Sequence, residues 1–117
     1  MNKTGMLGED LACSFLVGQG FKILTRNFRI PLGEIDIIAR DRDELVFVEV
    51  KTRTSQTYGY AEESVGYQKI RKILRAIRAY VSRYSYEGAY RIDVVSVELL
   101  TGVQHPVIRH IRAVELA

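Results

Sequence analysis

A single cysteine, two prolines and no tryptophan are spread over 117 residues, and no aliphatic or aromatic run is longer than the four residues Leu45 to Val48. The lone Cys13 cannot close an internal disulfide, and among its apolar neighbours it reads as a small core or boundary residue without a catalytic role. Four-residue runs fall far short of the roughly 18 apolar residues that a membrane helix needs. With so few prolines and no repeat or low-complexity tract, nothing divides the chain, and residues 1–117 are expected to form one domain with a real core. Glu9 and Asp10 stand where a signal peptide would carry its apolar segment, so the expected location is the cytoplasm.

Charge is present but unevenly spread. The net charge is +3, and the basic surplus lies after residue 50, where a polyanion-binding surface is expected. Its densest part runs from Ser64 to Tyr86 and includes Lys69, Arg71, Lys72, Arg75, Arg78 and Arg83 without an acid. A solvated helix face usually mixes signs, so a face of one sign points to a polyanion, although an ordinary basic surface would look the same.

The richest segment runs from Gly33 to Lys51. Two arms of Ile, Val and Phe flank the charged cluster Arg40 to Glu44, which reads as the turn of a β-hairpin. With the turn centred between Arg42 and Asp43, Asp36 falls opposite Glu49 and Glu34 opposite Lys51. Side chains alternate along a strand, placing Glu49 and Lys51 on the face of Leu45 and Phe47, away from Val46, Val48 and Val50. Facing carboxylates in this register have Cβ atoms roughly 4.5 to 5.5 Å apart and repel. A hard divalent ion such as Mg²⁺ takes such oxygen ligands, and Lys51, one strand step away, would orient a water or offset charge on a phosphate. An exposed Glu–Lys pair and a solvated Asp near a turn would give the same spacing, but both acids interrupt apolar strands, where an unpaired charge is costly.

Around the hairpin the periodicities predict a helix over about 4–17, with Leu7, Leu11, Ala12, Phe15 and Leu16 on one stripe and Glu9 at its margin. There Glu9 is either a solvated flank residue or leans over the sheet toward Asp36 and Glu49. A strand over Phe21 to Phe28, a turn at Pro31-Leu32-Gly33 and a polar loop from Thr52 to Tyr60 follow, the last with Tyr58 and Tyr60 as base-stacking or anchoring aromatics. A long amphipathic helix over about Glu62 to Tyr84 leads to strands at Tyr90 to Val97 and Val107 to Ile111. Strand, helix and strand make a crossover, so the fourth strand should run parallel to the third. Asp93 reads as a structural residue near the site, and His105 and His110 as surface or edge residues.

The segments Gly33-Glu34-Ile35-Asp36, Phe47-Val48-Glu49-Val50-Lys51-Thr52-Arg53 and Arg91-Ile92-Asp93-Val94-Val95 together resemble the bacterial YraN-like family of predicted endonucleases. Over the same segments the chain is similar to archaeal Holliday-junction resolvases and the wider PD-(D/E)XK nuclease superfamily, with Ile35 where the superfamily label has proline. The resemblance implies an α/β, restriction-endonuclease-like α-β-β-β-α-β core with a mixed central sheet flanked by helices. By position it implies that Asp36 and Glu49 bind the metal with the Val50 carbonyl, that Lys51 is the catalytic lysine, and that Glu9 is the acid of the first helix. It also implies a phosphate contact for Lys69.

These readings converge on metal-dependent phosphodiester hydrolysis in DNA, with Mg²⁺ or Mn²⁺ as cofactor and Arg53, Lys69, Arg71, Lys72 and Arg75 touching phosphates. Branched recombination or repair DNA is a candidate substrate; cutting a junction symmetrically would take a homodimer, for which no segment specifies an interface. The competing expectations are a non-catalytic nucleic-acid-binding module on the nuclease fold and a protein-binding domain whose basic helix meets an acidic partner.

Overall fold

The computed structural model describes residues 3–54, 66–100 and 105–115. The tyrosine-bearing part of the polar loop, the helix start expected at Glu62 and the turn at Thr101-Gly102 lie outside them. In chain order the elements are α1 (Lys3–Gly18), β1 (Lys22–Ile30), β2 (Gly33–Asp41), β3 (Glu44–Arg53), α2 (Tyr67–Arg83), β4 (Tyr90–Glu98) and β5 (Val107–Ile111). The five strands form one sheet in sequence order. β1, β2 and β3 are a local antiparallel meander, β4 joins β3 in parallel after the α2 crossover, and β5 closes the edge antiparallel to β4. This is the mixed α/β architecture expected from the sequence.

Strand alternation separates the apolar side chains into two layers. Val46 and Val48 of β3, Ile37 and Ala39 of β2 and Val95 and Val97 of β4 pack with Ala12 and Leu16 of α1. Leu45, Phe47, Ile38 and Ile35 pack on the other side with Ile73, Ala76 and Ile77 of α2. The α1 stripe is rotated from the one the sequence suggested: Leu7 is 50% exposed, while Gly8 and Glu9 are buried. A Cβ on Gly8 would stand 1.9 Å from the Thr52 hydroxyl oxygen, so only glycine lets this part of α1 lie directly on β3, and the helix turns to present it.

The hairpin register is the one the turn position implied. Ile37 pairs with Val48 and Asp41 with Glu44, around a two-residue turn in which Arg42 adopts φ +58°. Regular pairing begins only at Ile37–Val48, and the ladder is open where Asp36 meets Glu49.

Candidate active site

At Asp36 the strict alternation of β2 breaks. Ile35 packs with α2 although Ile37, two residues on, packs with α1. The partner strand is irregular at the same level: Arg26 pairs with Ile37 and Phe28 with Ile35, and Asn27 between them has φ +54°. Asn tolerates this left-handed conformation better than most residues. In the opened ladder the Val50 N–H donates to Asp36 Oδ2 at 2.8 Å, so a carboxylate takes the place of a backbone acceptor. The N–H and C=O of a strand residue face the same neighbour, which turns the Val50 carbonyl toward the same gap.

Two carboxylates and two lysine side chains meet around this gap. Burial and then the Glu49 carboxylate push Asp36 up to about 7, against the opposing pull of the Val50 N–H and Lys69. Glu49 is itself buried, and its Oε1 lies 3.1 Å from Lys69 Nζ and 3.8 Å from Lys51 Nζ. Lys69 also reaches to 4.0 Å from Glu34. Burial works against its ammonium, but Glu49, Asp36 and Glu34 outweigh that and hold its pKa above the ordinary lysine value.

Among the described residues no group of three or more His, Cys, Asp and Glu side chains is gathered to cage an ion. The oxygens that converge are two carboxylates and, by strand direction, one backbone carbonyl. That set is hard and incomplete, which suits Mg²⁺ or Mn²⁺ retaining waters and accepting a phosphate oxygen.

Glu9 is buried rather than solvated, and its partners are on β1: Arg26 Nε and Asn27 Nδ2 each donate to Glu9 Oε1 at 3.0 Å. Arg26 also binds Asp10 at 2.7 Å. The structure thus gathers Asp36, Glu49, Val50, Lys51 and Lys69, and places Glu9 on α1 next to the irregular stretch of β1.

The remaining predicted phosphate contacts lie on or near α2. Lys72 and Arg75 line a cavity of about 320 Å³ with Arg29, Pro31, Leu32 and Glu34, at the turn leading into β2. Arg71 lies over the Tyr67 ring at 5.6 Å and borders a smaller recess with Gln68, Lys72 and Arg75. Arg53 ends β3, and its carbonyl accepts from Leu99 N–H at 2.7 Å.

A second charged centre, which the sequence reading did not assemble, lies on the α1 face of the sheet. Asp93 is fully buried, accepts from Arg91 Nε at 3.0 Å and Ala113 N–H at 2.9 Å, and lies 2.8 Å from His110 Nε2. Arg91 continues to Glu44 and Asp41 at 2.8 and 2.9 Å. His110 lies on the edge strand β5, as expected, but its side chain is 8% exposed and meets the rings of Phe15 and Phe21 edge-on, so it faces the interior rather than the surface. The alternation of β5 and the acid at Asp93 carried the signal, but only the β4–β5 register joins them. A cavity of about 770 Å³ at this end, lined by Gln19, Gly20, Asp41 to Glu44, Ala89, Arg91 and Arg112, is separate from the acid pair.

Residues 8–97 match the sequence profile of the uncharacterised protein family UPF0102. A UPF0102 protein of Syntrophotalea carbinolica is 48% identical over 94 residues, covering 80% of this chain and 76% of the relative. One from Pelobacter propionicus is 44% identical over 117 residues, covering 97% and 84%. Among solved structures, a chain in an EndoMS-dsDNA2 complex overlaps with TM-score 0.49 and 20% identity over 87% of this chain, which spans 39% of that longer one.

Proposed function

The chain belongs to the uncharacterised protein family UPF0102, and from that premise we propose that it is a divalent-metal-dependent DNA endonuclease, with Asp36 and Glu49 holding Mg²⁺ or Mn²⁺. The observation that carries the reading is the half-buried Asp36 beside the buried Glu49 in an opened strand ladder, with the Asp36 pKa raised to about 7. Carboxylates that are strongly shifted and stand beside a second acid are found clustered at functional sites.

In this reading Asp36, Glu49 and the Val50 carbonyl hold the ion. When bound, the ion supplies a water of lowered pKa and a counter-charge for the scissile phosphate. Lys51, whose ammonium lies 3.8 Å from Glu49, donates hydrogen bonds that orient the attacking water and offsets charge developing on the phosphate. The Val50 N–H fixes the Asp36 carboxylate by taking one of its oxygens, leaving the other for the ion. Glu9, fixed by Arg26 and Asn27, serves an outer water or a second ion. Lys69, Arg71, Lys72, Arg75 and Arg53 supply sequence-independent phosphate contacts, which make binding salt-sensitive. Branched repair or recombination DNA is the substrate class to try first, and cutting it symmetrically calls for two copies of the chain.

The test is a cleavage assay on linear, flapped and four-way DNA with Mg²⁺ or Mn²⁺, comparing wild type with Asp36→Ala, Glu49→Ala and Lys51→Ala. Metal-dependent cutting by wild type, lost by at least about 100-fold in each variant, is the expected result. Equal activity in all four proteins would assign the cutting to a contaminant and remove the proposal. One observation favours a second reading: Glu49 already has two ammonium partners, as suits a non-catalytic DNA-binding module. That reading predicts DNA binding unchanged by EDTA and no turnover with any metal.

A further inference from the structure

Lys69 is the third residue of α2 and sits in its first turn, where unpaired backbone N–H groups disfavour a positive side chain. No acid occupies that turn to compensate. The helix therefore does not account for where the ammonium lies. Carboxylates of other elements do: Glu49 of β3 at 3.1 Å and Glu34 of β2 at 4.0 Å.

Gly33 explains how the side chain is delivered. A Cβ at residue 33 would stand 2.2 Å from the Lys72 carbonyl oxygen and 3.1 Å from the Ala76 nitrogen, so α2 rests directly on the start of β2. Residues three apart share a helix side. Seating Lys72 on Gly33 thus carries Lys69 toward Glu34 and Glu49, past the open end of the β2–β3 ladder.

The geometry points to Lys69 as the resident counter-cation of the Asp36–Glu49 pair, a positioning residue that steadies the acids without metal and competes with the divalent ion for Glu49. This rests on the metal-binding reading above and adds a regulation to it. Two facing carboxylates without a cation repel, and an ammonium on a flexible four-carbon stem relieves that while remaining exchangeable. Lys51 remains next to Glu49 along β3 whichever cation is present. Lys69, once exchanged, has its charge directed to the solvent side of α2, where Lys72 and Arg75 already face a basic cavity. A DNA phosphate offers it a replacement partner, so DNA and metal each favour binding of the other, reciprocally.

The experiment measures Mn²⁺ affinity of the full chain by electron paramagnetic resonance of free Mn²⁺, with and without a short DNA duplex. Wild type is compared with Lys69→Gln, Lys69→Arg and Arg78→Gln. Lys69→Gln is expected to bind Mn²⁺ about 5- to 10-fold more tightly without DNA and to lose most of the tightening that DNA gives wild type. Arg78→Gln, which removes one exposed positive charge of α2 without touching the acids, stays within about twofold of wild type. Lys69→Arg keeps the competition.

Equal or weaker Mn²⁺ binding by a folded Lys69→Gln protein overturns the role of Lys69 but leaves the metal reading standing. No Mn²⁺ binding by any of the proteins overturns both. Should Lys69→Gln fail to fold, the wild type itself decides: with its lysines ¹³C-dimethylated, the Lys69 resonance must shift as Mg²⁺ is added. A resonance that does not move refutes the exchange.

Discussion

Asp93 on one face of this sheet and Asp36 on the other meet the same problem in opposite ways. On the α1 face Asp93 is completely buried, yet Arg91, His110 and the Ala113 N–H meet its oxygens. Burial alone would raise its pKa, but these partners together hold it below the ordinary carboxylate value. On the α2 face Asp36 has one backbone N–H, a carboxylate neighbour and more distant lysine charge, and its pKa rises to about 7. A buried acid whose partners outweigh burial has a settled structural role, whereas one whose partners do not is held at an electrostatic cost.

The sharpest way to break this contrast is to remove each acid. Asp93→Ala takes from Arg91 and His110 the anion they share, leaving Arg91 with Glu44 and Asp41, and should lower stability by about 3–5 kcal/mol in urea unfolding, as breaking one side of a buried ionic network does. A loss under about 1 kcal/mol would mean that the α1-face centre is not structural. Gly33→Ala comes next: its Cβ would stand 2.2 Å from the Lys72 carbonyl. Overpacking of about 1–3 kcal/mol is expected in thermal melts.

Asp36→Asn should have the opposite sign. The amide oxygen still accepts from Val50 N–H, and the unfavourable ionised form is gone, so stability at pH 8 should hold or rise by on the order of 1 kcal/mol while cleavage is lost. The pH dependence follows from the same two acids. Because folded Asp36 holds its proton up to about 7 against an ordinary 3.8, it binds more protons folded than unfolded between those values, so stability falls as pH rises through that window. Asp93, with its lowered pKa, adds stability above 3.8 that is lost on further acidification. Urea titrations between pH 4 and 8 should show the first decline in wild type and not in Asp36→Asn. The smallest expected effect is at the helix surface: Lys72→Ala should reduce the salt slope of DNA binding by about one without changing stability.

Much of this was legible in the chain. The turn at Arg42-Asp43 fixes the register that pairs Ile37 with Val48, and the strand–helix–strand order fixes the parallel join of Leu45 with Tyr90. Both follow from local chemistry and chirality, which sequence displays directly. Three features were hidden for one reason: they depend on residues distant in sequence meeting. Leu7 lost its place on the helix stripe because Thr52 demands a glycine beneath it. His110 entered the α1 face because β5 found its register on β4. Lys69, read as a phosphate contact, lies on Glu49 because Gly33 admits α2 to the sheet. At the candidate site, spacing brought Asp36, Glu49 and Lys51 together, but not the break in alternation or the Val50 N–H that opens the ladder.

The order of the strands has a further consequence for how the chain assembles. β1, β2 and β3 are neighbours in sequence as well as in the sheet, whereas β4 meets β3 only after the long α2 connection closes. Short-range pairings form ahead of long-range ones. The two acids are therefore drawn together while the chain is still incomplete, before the ammonium from the crossover can reach them. Until then the meander has only its own Lys51 to offset their repulsion, so docking of the crossover completes the charge arrangement as well as the sheet.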